Sequence, residues 1–371
     1  MSYGEEVSSL KVEVVLIDEI LPHPNADRLE IARIAGWNCV VRKGEYNAGT
    51  KVVYIPVDSV LPFELESKLF PPDSKVKLEK SRVRTIKLRG AISQGIIATC
   101  EELGLEPFTA VGEDVADKLG ITKYEPPVKN TPGLLRGNKL SPKKGNSNFR
   151  KYTDIENWKH YNNLFSTEDF VWVSEKLHGT SVRYAYLPTE CNTFWKKVKR
   201  FFGVLPKYEF CIGSRNVQLQ DKLRYDGFYD INVYGKIAQQ EDIKSKLCEG
   251  DAIYGEIVGS GIQKGYTYGC EQGEHKFYVY DVMRNGIWLD LKELIDFCGE
   301  RGLQLVPILY VGYYRPEVTD LCKGDSTIGG QKVMEGVVIK TVNEKPSIIG
   351  RSVLKFVSDT YLLKEENTDF H

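Results

Sequence analysis

Hydrophobic and polar residues alternate over short runs in the first 120 residues of the chain. This alternation predicts strands at LKVEVVLIDEI, IARIAGWNCVVRK and KVVYIPVDSVL, which the turn signals HPNADR, GEYNAG and LPFE separate. EELGLEP is predicted to form a short helix that ends at its proline. Several short strands without a long helix are typical of a small barrel, so we expect a β-barrel domain over residues 1–125.

Strand and helix patterns alternate in the second part of the chain. Strands are predicted at DFVWVSEKL, SVRYAYL, YEFCIGS, DAIYGEIVG, HKFYVYDV and MEGVVIKT. Helices are predicted at GFYDINVYGKIAQQEDIKSKL and LKELIDFCGERG. The mixture indicates an α+β domain with a large, mostly antiparallel sheet over residues 149–371.

Residues 126–148 are rich in Pro, Gly, Asn and Lys, a composition that breaks regular structure and predicts a linker. Its basic side chains are either solvated or follow a phosphate backbone, and both interpretations remain open. They are Lys129, Arg136, Lys139, Lys143 and Lys144.

The composition limits the classes of function. A chain of 371 residues favours two domains. Because 50 Lys and Arg nearly balance 51 Asp and Glu, any positively charged surface must be local. The eight cysteines form no C-x-x-C pair, which disfavours a zinc ribbon. Without a signal sequence or a membrane-spanning apolar run, we expect a cytoplasmic or nuclear protein with no membrane partner.

Residues 193–210, TFWKKVKRFFGVLPKYEF, mix aromatic and basic side chains. Such a stretch binds RNA or lies on a membrane surface in some proteins. The more common arrangement, which we favour from the sequence, is an amphipathic insertion that packs its aromatic side chains on its own domain.

The segment SEKLHGTSVRY places Lys176 at the predicted end of a strand, three residues before Gly179. Glycine permits a tight turn and a close approach of the backbone to a ligand. A nucleophilic lysine must lose its proton, which nearby cations or a drier site favour. K-x-x-G alone is a weak signal, because surface turns also carry it.

Charged residues also interrupt apolar strands farther along the chain. Glu256 lies in the middle of IYGEIVG, Glu335 and Lys340 lie at the two ends of EGVVIK, and Lys355 lies within VLKF. Because an unpaired buried charge is costly, these side chains must pair or face a charged ligand. Two carboxylates and several lysines in one cleft suit a nucleotide phosphate with Mg²⁺.

The order of these segments resembles that of the covalent nucleotidyltransferase superfamily, which contains polynucleotide ligases and mRNA capping enzymes. The six matching segments, over about residues 150–360, are EKLHGT, GSRN, YGEIVG, FYVYDV, EGVVIK and VLKF. His178 is similar to the histidine of RNA ligases whose first motif reads E-K-[IV]-H-G-T. Many DNA ligases and capping enzymes have Asp at that position.

The N-terminal region resembles an OB-fold tRNA-binding domain in HPNADRLEIARI and IKLRGAISQGIIATCEELGL. One branch of RNA ligases has an OB domain before the transferase domain and a stretch like KYTDIENW upstream of the lysine motif. The sequence departs from that branch at His178, where Asp is expected. On the OB domain, a cationic stripe is predicted to contact nucleic acid or to form a solvated strand face, at Arg82, Arg84, Lys87 and Arg89.

The resemblance implies the fold and the cofactors. The fold is an N-terminal OB-fold β-barrel followed by a nucleotidyltransferase domain, like an ATP-grasp ligase domain, with antiparallel sheets. Lys176 attacks the α-phosphate of ATP, with Mg²⁺ or Mn²⁺ as the metal. Glu335 holds that metal directly or through water, and Glu256 contacts the ribose or helps hold the same hydration shell. Lys340 and Lys355 lie on the α-phosphate.

The resemblance also implies roles for the surrounding residues. Tyr280 stacks on adenine, with Tyr278 as the alternative, and Arg215 contacts the nucleotide or the incoming phosphate end. His178 is essential to the cycle without being the nucleophile. Weaker expectations concern the backbone from Ser174 to Leu177 at the adenine edge, and Arg150 and Lys151 at the pyrophosphate.

The implied function is that of an ATP-dependent RNA ligase, joining a 3′-hydroxyl to a 5′-phosphate, especially at nicks in duplexes. The intermediates are a lysyl-AMP and then an RNA-adenylate. RNA is the expected partner, and no stable protein partner is implied. The alternatives are a DNA ligase, a guanylyltransferase or an inactive RNA-binding homologue.

Overall fold

The computed structural model of the protein describes residues 10–71, 74, 77–124, 145–191, 194–219 and 233–363. Its contacts divide the chain into two compact units. The first comprises Met1–Pro127 with Asp359–His371, and the second comprises Val128–Ser358. Of the predicted linker 126–148, only residues 145–148 belong to the described part, and the five basic linker residues named above lie outside it.

Short strands build the first unit, as the alternation predicts. The strands are β1 (Glu13–Leu16), β2 (Glu19–Pro22), β3 (Leu29–Ile34), β4 (Trp37–Arg42), β5 (Lys51–Ile55), β6 (Ser59–Val60), β7 (Thr85–Leu88), β8 (Ala91–Gln94), β9 (Ile96–Ala98) and β10 (Thr122–Lys123). The helices are α1 (Phe63–Leu69), α2 (Ala116–Leu119) and, at the end of the described chain, α7 (Asp359–Leu362).

Strand β5 lies at the centre of the first unit because it is buried on both faces. Val53 and Ile55 join one hydrophobic cluster, whereas Val52 and Tyr54 join another. Successive side chains of a strand point to opposite faces, so one strand serves two cores. β5 pairs antiparallel with β1 and β9, while β2, β3 and β4 form a second antiparallel sheet.

Two local predictions in this unit are wrong. EELGLEP forms hydrogen-bonded turns instead of a helix, with Gly104 in the left-handed region at φ 74°. LPFE is not simply a turn, because α1 begins at Phe63. The proline before Phe63 suits a helix start, since the first turn requires no backbone donor there.

The predicted cationic stripe is wrong for one of its four members. Arg82 is buried, and its Nε donates to Asp58 Oδ1 at 2.8 Å while the guanidinium lies 3.8 Å from the centre of the Tyr124 ring. Strand alternation alone does not reveal such a buried partner. Lys87 and Arg89 are exposed.

Two sheets form the second unit. Their strands are β11 (Glu156–Asn157), β12 (Phe170–Lys176), β13 (Thr180–Pro188), β14 (Tyr208–Ser214), β15 (Gln218–Leu219), β16 (Asp251–Gly259), β17 (His275–Arg284), β18 (Ile287–Trp288), β19 (Ile308–Tyr313), β20 (Gly336–Thr341) and β23 (Val353–Val357), with a separate hairpin of β21 (Pro346–Ser347) and β22 (Gly350–Arg351). The five-stranded sheet has the order β11–β23–β20–β12–β19, and the six-stranded sheet has the order β15–β14–β13–β16–β17–β18. All of their pairings are antiparallel except that of β11 with β23.

The six strands predicted in this unit are confirmed, and so is the helix at LKELIDFCGERG, which is α6 (Leu291–Glu300). A capping box starts α6: Asp290 and Glu293 satisfy each other's backbone donors. The described part of the other predicted helix contains α4 (Val233–Gln240) and α5 (Ile243–Lys246). Asp242 separates them with a left-handed φ of 45°.

The favoured interpretation of residues 193–210 is wrong. Their helix, α3 (Phe194–Phe201), contains no buried residue, and its aromatic side chains are exposed instead of packed on the domain. No helix in the described ranges is both long enough and apolar enough to cross a membrane.

Candidate active site

Lys176 ends β12, and its amine donates to Glu335 Oε1 at 2.5 Å. The side chain of Lys176 is 12% exposed and that of Glu335 is 1% exposed. Glu335 directly precedes β20, whose first residue, Gly336, pairs with Lys176 in the sheet. Two neighbouring strands therefore deliver the two charges to one point, where each offsets the cost of burying the other.

Gly179 makes the turn between β12 and β13 possible. A Cβ at this position would lie 2.2 Å from the carbonyl oxygen of Ile257 and 2.9 Å from the Cγ of Glu256. The Gly179 backbone N–H donates to Glu256 Oε1 at 3.1 Å. The glycine of K-x-x-G is thus required for close packing of the turn against β16, which brings Lys176 and Glu256 to one site.

The pKa of Glu256 is raised to about 8 by burial. The charge of Glu335 raises it further, and that of Lys176 opposes the shift. Without a further cation, Glu256 therefore keeps its proton near neutral pH beside the ion pair of Lys176 and Glu335. A divalent cation would favour the ionised form of Glu256, so the two acidic side chains fit a hard metal ion with oxygen ligands.

His178 lies beside the carboxylate of Glu335. Its ring is buried, edge-on to Tyr266 at 4.7 Å between centroids, with Nδ1 3.9 Å from Glu335 Oε2. The backbone N–H of His178 donates to the Tyr268 hydroxyl at 2.7 Å. These contacts fix the loop after Lys176. Both tyrosines lie in IVGSGIQKGYTY, a stretch similar to the corresponding segment of RNA ligases, but the similarity alone did not predict their contacts with His178.

Tyr280 and Tyr278 lie on β17, next to β16. The Tyr280 hydroxyl is 2.9 Å from Ser181 Oγ, and its ring packs edge-on against Tyr152 at 4.9 Å between centroids. Burial and the charge of Glu256 raise the pKa of Tyr280, so its hydroxyl stays neutral near this carboxylate. Tyr278 pairs directly with Glu256 in the sheet and is buried.

Asp281 is the centre of a second cluster of charges. Its Oδ2 accepts from Lys340 Nζ at 2.7 Å, from Arg351 Nη2 at 2.9 Å and from the Tyr152 hydroxyl at 2.7 Å. Burial raises the pKa of the Asp281 carboxyl, but Lys340 and Arg351 outweigh it and hold the pKa below its usual value. We therefore expect the carboxylate to be ionised and to anchor both cations.

The amine of Lys340 is held by Asp281 and also donates to the carbonyl oxygen of Tyr280 at 3.0 Å. Burial lowers the pKa of Lys340, while Asp281 raises it. In the five-stranded sheet Lys340 pairs with Trp172, and Lys355 pairs with Val338. This register places Lys176, Lys340 and Lys355 on one face of the sheet, because cross-strand partners share a face.

The other predicted basic residues lie nearer to solvent. Arg215 pairs with Asp154 at 2.5 Å, and its charge lowers the pKa of both Glu256 and Tyr280. Arg150 and Lys151 are exposed.

Glu175, which was not among the predicted site residues, is buried next to Lys176. Its carboxylate accepts from Ser326 Oγ at 2.5 Å, from the Thr327 backbone N–H at 2.9 Å and from Thr327 Oγ1 at 2.6 Å. Glu175 thus fastens residues 326 and 327 to β12 on the face opposite Lys176. Only the E of the EKLHGT segment pointed to it.

The metal-binding groups at this site are few. Within the described ranges, no three His, Cys, Asp or Glu side chains are grouped as ligands for a metal ion. Mg²⁺ commonly uses one or two carboxylates together with substrate phosphates and water, so Glu335 and Glu256 suffice for that pattern.

Comparisons with known proteins give the family of this chain. The RNA ligase family matches residues 169–357, and an OB-fold domain family matches residues 11–100. Since the first match covers half of the chain, the protein belongs to the RNA ligase family. Its N-terminal unit is an OB-fold domain, and its second unit is a ligase domain.

Solved structures of an RNA ligase from Naegleria gruberi have the same fold. The ligase with PPi is 24% identical, with a TM-score of 0.68 over 96% of this chain and 98% of that chain. A mutant with ATP and Mn is 24% identical, with a TM-score of 0.69 over 95% and 98% of the two chains. A mutant with AMP and Mn is 23% identical, with a TM-score of 0.67 over 95% and 97%. A search of curated protein sequences found no match.

The charge cluster at Asp281 generates a stability prediction. We expect Asp281→Ala to lower the free energy of unfolding by roughly 3–5 kcal/mol, because Lys340 and Arg351 would lose a buried counter-charge. Chemical denaturation of the full-length protein measures the change in the unfolding free energy of the second unit. The control is Asp296→Ala, whose exposed helical pair with Lys292 should contribute no more than about 0.5 kcal/mol. Equal losses in the two variants would contradict the assignment.

The raised pKa of Glu256 generates a pH prediction for the protein without nucleotide or divalent metal. Between pH 4.5 and about 8 the folded state keeps the proton that the unfolded state releases, so this residue makes stability fall as pH rises. Glu256→Gln should therefore gain stability relative to the original protein across this window, by roughly 1–3 kcal/mol. Unfolding midpoints at several pH values measure the difference, and a constant difference would refute the shift.

Proposed function

We propose that the protein is an ATP-dependent RNA ligase that joins 3′-hydroxyl and 5′-phosphate ends through an adenylate on Lys176. The observation that carries the proposal is the position of its amine, at a strand end beside Glu335 and next to the turn that holds Glu256. The Naegleria ligase structures that contain ATP with Mn, or AMP with Mn, support the choice of nucleotide and metal.

In the first step the Lys176 amine attacks the α-phosphorus of ATP. An N–P bond forms, the bond to the bridging oxygen breaks, and pyrophosphate leaves while the amine loses a proton. Glu335 positions the amine, because its carboxylate accepts the hydrogen bond from Nζ. Glu335 and Glu256 would hold Mg²⁺ or Mn²⁺, which supplies positive charge to the phosphates.

Lys355 and Lys340 are assigned to the α-phosphate, because both leave the same sheet face as Lys176. The amine of Lys340 reaches a phosphate only by exchanging its contact with Asp281. Tyr280 is assigned to stacking on adenine and Arg215 to the nucleotide or the incoming phosphate end. Weaker assignments are the backbone of residues 174–177 to the adenine edge, and Arg150 and Lys151 to the pyrophosphate.

Two further transfers complete the reaction. A 5′-phosphate oxygen of the RNA attacks the lysyl-AMP phosphorus, which frees Lys176 and forms an RNA-adenylate. The 3′-hydroxyl of the second end then attacks that 5′-phosphate, and AMP leaves. His178 acts through Glu335 and the turn after Lys176 instead of as a nucleophile, because its ring nitrogen faces that carboxylate.

The first experiment tests the nucleophile. Incubation with α-labelled ATP should give a covalent protein adduct, and Lys176→Ala should abolish it because no amine remains to attack. Lys292→Ala is the matched control, since that lysine is exposed on α6 and belongs to none of the six motifs. Unfolding curves verify that both variants fold. An adduct that survives Lys176→Ala, or a label taken only from GTP, would overturn the proposal.

A second experiment tests the substrate. We expect the protein to seal a nick in a duplex when the strand that carries the 3′-hydroxyl is RNA, and to seal an all-DNA nick at least about tenfold more slowly, a difference of about 1.4 kcal/mol in activation free energy. Denaturing electrophoresis of end-labelled strands measures both rates. Equal rates on the two nicks would indicate a general polynucleotide ligase instead.

A further inference from the structure

The connection between β13 and β14 carries a helix whose apolar side chains face water. Phe194, Trp195 and Phe202 are each 72% exposed, and Phe201 is 85% exposed. Among the described residues, these rings contact one another in the pairs Phe194–Trp195 and Phe201–Phe202. An exposed aromatic patch of this kind marks a surface that another body covers.

The apolar and basic residues of this segment separate onto different sides. The backbone N–H of Phe202 donates to the carbonyl oxygen of Val198 at 3.1 Å, so the helical path extends through Phe202. At about 100° per residue, the apolar side chains fall within an arc of about 120°. They are Phe194, Trp195, Val198, Phe201 and Phe202.

Two of the helix's basic residues, Lys197 and Lys199, flank the two edges of this arc, and the other two, Lys196 and Arg200, lie opposite it. Residues 194–207 contain five basic residues, the fifth being Lys207, and no Asp or Glu, although the whole chain has a net charge of −1. The helix is therefore a local positive feature on a nearly neutral protein.

The basic side of α3 faces the stem of its own connection. Arg200 Nη1 donates to the carbonyl oxygen of Thr189 at 3.1 Å and lies 3.3 Å from Cys191 Sγ. The Thr189 backbone N–H donates to the carbonyl oxygen of Lys207 at 2.9 Å, which closes the stem. With Arg200 held inward, the aromatic arc points away from the domain.

We propose that α3 docks on the surface of an anionic phospholipid bilayer, with its aromatic arc in the headgroup region and Lys197 and Lys199 beside the phosphates. Short amphipathic helices bind membranes in this way, and long lysine stems reach along the apolar surface to the charged boundary. This docking revises the expectation of no membrane partner and goes beyond the ligase function.

A single RNA strand fits this arrangement less well. Single-strand binding surfaces place stacking aromatics and backbone-binding cations in one groove. Here Lys196 and Arg200 lie on the side of the helix opposite the aromatic arc, and Arg200 already donates to the carbonyl oxygen of Thr189. An anionic bilayer presents a flat surface that can contact the aromatic arc and both flanking lysines, Lys197 and Lys199, at the same time.

The docking helix lies far along the chain path from the candidate active site. β13 spans Thr180–Pro188, nine residues or ~30 Å, and connects the turn at Gly179 to the stem of α3. Changes in α3 should therefore leave adenylate formation on Lys176 unaffected.

Flotation of the full-length protein with vesicles tests the proposal. We expect binding to vesicles of phosphatidylcholine with phosphatidylserine, no binding to phosphatidylcholine alone, and weaker binding as salt rises. The combined change Trp195→Ala, Phe201→Ala and Phe202→Ala should weaken binding at least about tenfold, because most of the apolar arc is removed. The matched control changes Phe63 and Phe108 to Ala, both 81% exposed in the first unit.

The charge variant Lys197→Glu with Lys199→Glu provides a second readout, because it keeps the aromatic arc. It should also reduce binding to the anionic vesicles. The docking is overturned if the original protein does not float, or if both α3 variants float like the control. Loss of single-stranded RNA binding in the aromatic variant, without vesicle binding by the original protein, would assign the helix to RNA instead. Unfolding curves and labelling of Lys176 verify each variant's fold.

Discussion

The contact between Lys176 and Glu335 is the constraint on which the site depends. A lysine with little exposure needs a counter-charge, and a carboxylate that is almost completely buried needs one even more. Register in one sheet meets both needs, because Lys176 ends β12 opposite the first residue of β20 and Glu335 precedes that residue. The pair holds the amine in place at the end of β12. In the proposed reaction, a nucleotide phosphate would replace the Glu335 carboxylate as the partner of this amine.

A second ion pair, between Asp281 and Lys340, joins the two sheets of the ligase domain. Asp281 belongs to the six-stranded sheet, whereas Lys340 belongs to the five-stranded sheet, so their ion pair joins the two. Tyr152 and Arg351 complete the cluster on the same carboxylate oxygen. The nucleotidyl-transfer chemistry proposed here needs lysines close to phosphate, and burying them without substrate requires such a partner. Asp281 thus stabilises the buried cations, and in the proposed reaction its contact with Lys340 would compete with a phosphate.

The sequence predicts the parts of this arrangement that are local. Alternating patterns predict the strands that carry Lys176, Glu256 and Tyr280, and the glycine of K-x-x-G predicts the turn. The sequence does not predict hydrogen-bond partners that are distant in the chain. Asp58 accepts a hydrogen bond from the buried Arg82, and Ser326 and Thr327 donate to the buried carboxylate of Glu175. Periodicity shows which side of an element is polar, but not which group from another element lies against it.

The helix α3 also shows that a periodic pattern does not reveal what lies against an element. Its pattern is that of a helix packed on a domain, but none of its residues is buried within the part of the chain that the structure describes, because Arg200 turns the polar side toward residues 189 and 191. An apolar surface with this much exposure is unfavourable in water unless another surface covers it. A large, flat apolar surface would also promote self-association. Flanking lysines oppose self-association by like-charge repulsion while favouring an anionic plane. The charges around the arc therefore select the kind of surface that covers it.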